Sequence, residues 1–166
     1  MDKVSSIKGI IFDLDGTLYQ MRWYMRALVT VQVFPNCLRL PHFLKIRSQF
    51  AGKDLNSREE LLSEVCRQFS AKEHLSEQAA LKWILNSFYP AFANTMKYLY
   101  SSRPKLNETL EMLKNSGIKL AVLSDYDLVH ERLQNLSINP DHFTTITSSE
   151  VYGALKPSPR PFLQIA

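Results

Sequence analysis

Residues 10–18 read Ile-Ile-Phe-Asp-Leu-Asp-Gly-Thr-Leu, an apolar run that stops at two carboxylates spaced two apart and then a glycine. β-Branched and aromatic side chains with little polar alternation are the composition of a strand covered on both faces, as in a parallel sheet. Open parallel sheets bind their ligands beyond the carboxyl ends of the strands. Asp13 and Asp15 fall at that end, and Gly16 supplies the backbone freedom needed to leave the strand. Two carboxylates there can hold a divalent cation, or divide nucleophilic and acid/base roles between them.

Behind this strand the pattern turns helical and stays so until about residue 101. A first helix is expected over 21–33, stopped by Pro35, and a second over 41–50, ended by Gly52. Asn56 with Glu59 resembles a capping box opening a helix through Leu61, Leu62, Val65, Cys66 and Phe69. Ser76 caps a helix over 77–88, and Pro90 kinks or breaks the run before 92–100. Connections in compact domains are far shorter than this. The spacing therefore predicts a small helical domain over 20–101, inserted into a core made of 1–19 and 102–166.

The α/β rhythm returns at residue 102. Pro104 opens a helix through Leu110 and Leu113 that Gly117 stops, and 118–123 is a second buried strand ending at Ser124-Asp125. A helix over 128–136 and a more polar strand over 143–147 follow. Gly153-Ala154-Leu155-Lys156-Pro157-Ser158-Pro159 then leads into a last helix, with Pro159 suited to its first turn. From the residues alone, Ser124 or Asp125 reads as a helix cap, Lys156 as a surface lysine, and Asp127 and His130 as turn and helix-surface positions.

The order of these features resembles the haloacid dehalogenase-like (HAD) superfamily, which consists mostly of Mg²⁺-dependent phosphatases working through an aspartyl-phosphate. Asp13-Leu14-Asp15-Gly16-Thr17 is similar to its first motif, Ser124 to its second and Lys156-Pro157 to its third. The resemblance implies a Rossmann-like α/β parallel-sheet core with an inserted helical cap that chooses the substrate. It implies Asp13 as nucleophile, Asp15 as general acid and then base, and both as Mg²⁺ ligands. Ser124 and Lys156 would bind the phosphoryl group of a small phosphorylated metabolite. Arg22, Trp23, Tyr24, Arg26, Arg47 and Lys53 are the candidates to face that substrate from the cap.

The superfamily also carries a fourth strand with an acidic pair that completes the Mg²⁺ site, and this sequence has no such motif before Ala166. Asp125, Asp127 and Glu150 are the substitutes the sequence offers, although they belong to other strand ends. Hydrolysis by a phosphatase is the expected function; a phosphomutase on the same core, or a remnant without turnover, is the alternative. In the family the second and fourth strands flank the first. Without the fourth, the strand ending at Asp13 becomes an edge, which predicts either a longer protein or self-association through that edge.

The 166 residues carry 45% hydrophobic and 22% charged side chains, as a globular protein does. A net charge of +4 is spread along the chain without a basic run, so nucleic acid is not an expected partner, while anionic substrates are favoured. The polar first eight residues, and an apolar run too short for a signal core or membrane span, predict a cytoplasmic protein without membrane contact. Cys37 and Cys66 are too isolated for a disulfide framework or zinc site, and His42, His74 and His142 have no metal-ligand spacing.

Overall fold

A computed structural model describes residues 7–98 and 102–166. Three strands form one parallel sheet in the order β1, β2, β3: β1 is Gly9–Phe12, β2 Lys119–Ser124 and β3 Thr145–Ser148. Phe12 pairs with Val122, and Val122 with Ile146, so all three carboxyl ends open on the same side. β2 is buried from Leu120 onward, as a continuous apolar run should be. β1, expected to be covered on both faces, is only half-buried, because it is the edge of the sheet among the described residues. A trough of about 610 Å³ runs beside it, lined by Ile7, Ile10, Ile11, Leu120 and Ile165. The third, more polar strand begins two residues later than expected; Phe143 turns onto Phe12 at 6.4 Å between ring centres.

The segment after β1 is helical: α1 Met25–Gln32, α2 Arg39–Ser48, α3 Arg58–Glu73, α4 Glu77–Trp83 and α5 Tyr89–Thr95. Ser57, rather than Asn56, caps α3; its hydroxyl accepts the Glu60 N–H at 3.2 Å. The expected motif is thus displaced by one residue, and Asn56 instead donates its amide to the Glu60 carboxylate at 2.9 Å. Ser76 caps α4 by accepting the Ala79 N–H. Pro90 does not separate two helices. The wider turn Ile84–Phe88 absorbs its missing N–H, and α4 continues through it into α5. α1 starts at Met25 rather than residue 21, which leaves Met21 to Tyr24 as an approach loop.

These helices enclose their own cluster. Phe43, Phe69, Trp83 and Phe88 meet at ring separations of 4.6–6.1 Å, with Leu61, Val65 and Ile84 around them. A second cluster packs Leu14, Leu18, Leu110, Leu120, Val122 and Leu133 about the sheet, with α6 Leu106–Asn115 and α7 Val129–Asn135. The segment between β1 and α6 leaves and returns at one place. Tyr19 bridges Ser102, and Arg103 donates its backbone N–H to the Leu18 carbonyl and its side chain to those of Gly16 and Thr17. The short α8, Arg160–Ile165, ends the chain. Among the described residues, no helix is long and apolar enough to cross a membrane.

Candidate active site at the carboxyl ends of the strands

Asp13 is the first residue past β1. The register sets it beside Leu123 of β2, whose carbonyl accepts the Lys156 ammonium at 3.1 Å. The same ammonium pairs with Asp13 Oδ1, and the Thr17 hydroxyl lies 3.3 Å from Asp13 Oδ2. The Asp13 side chain is 38% exposed, so the pair faces open space. Gly16, at φ +84°, makes the turn that brings Asp15 back to the strand end, a conformation that side-chain-bearing residues resist.

Asp15 sits in a different environment. Its Oδ1 takes the Arg132 guanidinium and the Tyr19 hydroxyl, the latter at 2.7 Å, and its Oδ2 takes the Ser124 hydroxyl at 3.0 Å. Burial alone would raise this carboxyl, but the charge of Arg132 and the bonds from Arg132, Tyr19 and Ser124 outweigh it and hold the group below the usual carboxylate range. Burial and the neighbouring Asp15 charge push the Tyr19 phenol well up, so it stays a donor. Ser124, expected to hold a phosphoryl group, is fully buried: its proton goes to Asp15 while its oxygen accepts from Arg132 at 2.8 Å and the Tyr126 N–H at 3.1 Å.

Asp13, Asp15, Ser124 and Lys156 are thus brought together from three separate parts of the chain. Arg132 and Tyr19 complete the group, and sequence reasoning missed both. The signal for Arg132 was present: Val129, Arg132, Leu133 and Leu136 recur at helical spacing, which sets an arginine on the apolar face of α7. A fully buried arginine needs an anion, and the nearest is the carboxylate from the first strand end.

The residues offered as substitute metal ligands are committed elsewhere. Asp125 accepts from the Ser149 hydroxyl at 2.6 Å and the Lys156 N–H at 3.0 Å, fixing the lysine loop. Glu150 is buried against Arg47 and the Tyr89 hydroxyl, both at 2.5 Å. Burial raises its carboxyl despite Arg47. Asp127 pairs with Arg58 of α3. Among the described residues no three His, Cys, Asp or Glu side chains converge as metal ligands. The donors at the strand end are carboxylate and carbonyl oxygens, which suit a hard cation such as Mg²⁺ but fill few of its roughly six positions.

Of the candidates for a substrate-facing role in the helical segment, Arg22, Trp23 and Arg26 line a cleft of about 750 Å³ that also touches Asp15. Tyr24 packs onto the sheet-side cluster instead, Arg47 is consumed by Glu150, and the Lys53 ammonium lies 4.8 Å over the Phe50 ring.

A strand ending in Asp-x-Asp-Gly thus meets, on its first aspartate, a lysine from a later loop at the open end of a parallel sheet. The model of the haloacid dehalogenase-like hydrolase family matches residues 7–166, and the chain belongs to that family. The structure is similar to that of the HAD-hydrolase YfnB from Bacillus subtilis bound to magnesium, with 15% identity, TM-score 0.57 and coverage of 96% of this chain and 72% of that one. It also resembles a predicted phosphoglycolate phosphatase from Haemophilus somnus, with 20% identity, TM-score 0.50 and coverage of 96% and 70%. An L-2-haloacid dehalogenase from Xanthobacter autotrophicus is similar with 16% identity, TM-score 0.51 and coverage of 96% and 63%. At these identities the likeness establishes the fold. A search of curated proteins finds no match.

Proposed function

We propose that this hydrolase is a phosphatase that cleaves a small phosphorylated metabolite through an aspartyl-phosphate on Asp13. The observation that carries the reading is the Asp13–Lys156 pair, half-open at the carboxyl end of a parallel strand, with a second carboxylate two residues on. A carboxylate attacking a phosphate dianion must overcome like-charge repulsion. The Lys156 ammonium, anchored by the Leu123 carbonyl, offsets that repulsion as bonds form to phosphorus. Covalent capture splits hydrolysis into two displacements, each easier than direct attack by water.

Asp15 handles the protons. In the present arrangement it is a carboxylate held by Arg132, ready to accept the proton of the water that attacks the phospho-Asp13 intermediate. Protonation of the leaving group in the first step requires the Arg132 contact to slacken. Ser124 holds Asp15 in this geometry, and its expected contact with the phosphoryl group requires the hydroxyl to turn away from that carboxylate. Mg²⁺ would be held at Asp13 and the main-chain carbonyl of Asp15, where it supplies further positive charge for the phosphoryl oxygens. The helices over 20–98 act as the cap that selects the substrate.

A second reading shares the nucleophile. Displacement of halide by Asp13 from a 2-haloacid needs no acid, and the Arg132 grip on Asp15 favours such chemistry. The deciding experiment measures phosphate release from a panel of monoesters, and halide release from 2-haloacids, with and without EDTA. EDTA-sensitive phosphate release that Asp13→Asn abolishes supports the phosphatase reading. Halide release alone, indifferent to EDTA, replaces it.

A further inference from the structure

The cleft that touches Asp15 has mostly apolar walls, as ligand pockets do. Met25, Val29, Leu40, Leu44, Phe88 and Phe92 form most of its lining, and Tyr126 closes the end toward the strands. Tyr126 meets Phe88 and Phe92 edge-on at 5.8 and 5.2 Å, so three rings stand together at the inner end. A smaller hollow of about 110 Å³ adjoins it, sharing Leu44, Ser48 and Tyr126, and reaches Lys156. The two together run from the lysine end of the site into an apolar chamber.

The polar groups of the large cleft are few and mostly spent. Both Asp15 oxygens are engaged by Arg132, Tyr19 and Ser124, and the Ser48 hydroxyl donates to the Lys45 carbonyl. A sugar would bring several hydroxyls into a chamber with almost nothing to bond them, and each unpaired buried group costs binding. The exceptions are the Tyr126 hydroxyl, which has no hydrogen-bond partner among the described residues, and Arg22 and Arg26. Both arginines are exposed at the opening, and neither has a carboxylate partner among the described residues. Trp23, between them in sequence, is 91% exposed on the same rim.

We infer that the substrate is a phosphomonoester with a flat aromatic body bearing a second anionic group, the ring lying in the Phe88–Phe92–Tyr126 chamber and the anion meeting Arg22 and Arg26. This rests on the phosphatase reading, and it narrows the metabolite to one class. The Arg132 and Arg47 guanidinia cover one face each of Phe92 and Tyr126; the remaining ring edges and faces offer contacts to a flat guest, and burying that guest removes apolar surface from water on both sides. The guanidinia of Arg22 and Arg26 line the same cleft and are exposed, so they can give a far-end carboxylate or phosphate the charge-assisted bonds that the apolar walls lack.

Non-hydrolysable phosphonates test the inference independently of turnover. Calorimetry with the full chain compares methylphosphonate, phenylphosphonate and 4-carboxyphenylphosphonate, with the non-hydrolysable methylene phosphonate analogue of glucose 6-phosphate as the hydroxyl-rich control. Phenylphosphonate is expected to bind at least tenfold more tightly than methylphosphonate, about 1.4 kcal/mol. The carboxylate adds a further severalfold, and the sugar phosphonate gains nothing over methylphosphonate. Arg26→Glu, an exposed change that spares the core, removes the carboxylate's advantage and leaves the ring's. Val29→Phe, which fills the chamber, removes the ring's advantage. Equal affinities for the methyl and phenyl compounds, tighter binding of the sugar phosphonate, or no binding of any compound overturns the inference. Tight ring-selective binding without hydrolysis of the matching aryl phosphate removes the phosphatase reading and leaves the chamber's preference standing. Hydrolysis without ring selectivity does the reverse.

Discussion

Arg132→Met isolates the charge that governs Asp15. Methionine keeps much of the arginine's length and apolar bulk against Phe92, whose ring lies 4.4 Å from the guanidinium, while removing the bonds to Asp15, Ser124 and the Tyr126 carbonyl. Deleting one partner of a buried ion pair costs about 3–5 kcal/mol, because the other charge stays behind. Asp15 keeps 17% side-chain exposure, so water relieves part of the loss and the lower end, about 3 kcal/mol, is expected at pH 7.5. The pH dependence separates charge from packing. In the wild type the folded Asp15 carboxyl lies below its unfolded value, so its stabilisation is complete above about pH 4 and is lost as pH falls through the folded value. Without Arg132, burial dominates and raises the folded carboxyl. The variant then binds more protons folded than unfolded, and loses stability as pH rises from about 4. Urea unfolding of both proteins at pH 4 and 7.5 should show the deficit growing by at least about 1 kcal/mol, since each unit of rise in the variant's carboxyl is worth about 1.4. A deficit equal at both pH values would mean that Arg132 stabilises by packing alone, and the electrostatic account of Asp15 would fall.

Asp15→Asn should slow turnover of alkyl phosphates by about a hundred- to ten-thousand-fold and spare p-nitrophenyl phosphate in the first displacement; an equal loss of burst rate on both substrates would count against a role in leaving-group protonation. Gly153→Ala should destabilise by about 2–4 kcal/mol in chemical unfolding, because Gly153 lies at φ +68° and an added Cβ would land on the Leu55 carbonyl and within 2.6 Å of that of Ser57. A loss under about 0.5 kcal/mol would mean that the loops holding Lys156 are not locked together there. The β1 edge and its apolar trough should draw copies of the chain together, with light scattering giving a mass above that of one chain at tens of micromolar; a monomer with protected amides at Ile10 to Phe12 would refute this.

The sequence by itself determined much of this protein, because its strongest signals are local. An apolar run ending in Asp13-Leu14-Asp15-Gly16 defines a strand and its turn by composition and backbone freedom, and Ser76 defines a helix start by one hydrogen bond. The order of the Asp13, Ser124 and Lys156 motifs marked the three chain segments that form the site, since parallel strands deliver their carboxyl ends to one side whatever the loops between them do. Only the tertiary structure decided how those groups share their bonds. Lys156 chooses Asp13, whereas Asp15 is claimed by Arg132, which lies 117 positions away in the chain; helical spacing sets Arg132 on the apolar face of α7 but does not say which carboxylate it meets. Glu150 and Arg47 look equally free in sequence and are in fact each other's partners between α2 and the loop before Lys156. Local composition fixes where the chain bends and what it buries. Which charge neutralises which depends on distances that exist only after the helices have packed, and in a buried site that pairing sets whether a carboxylate is free to react.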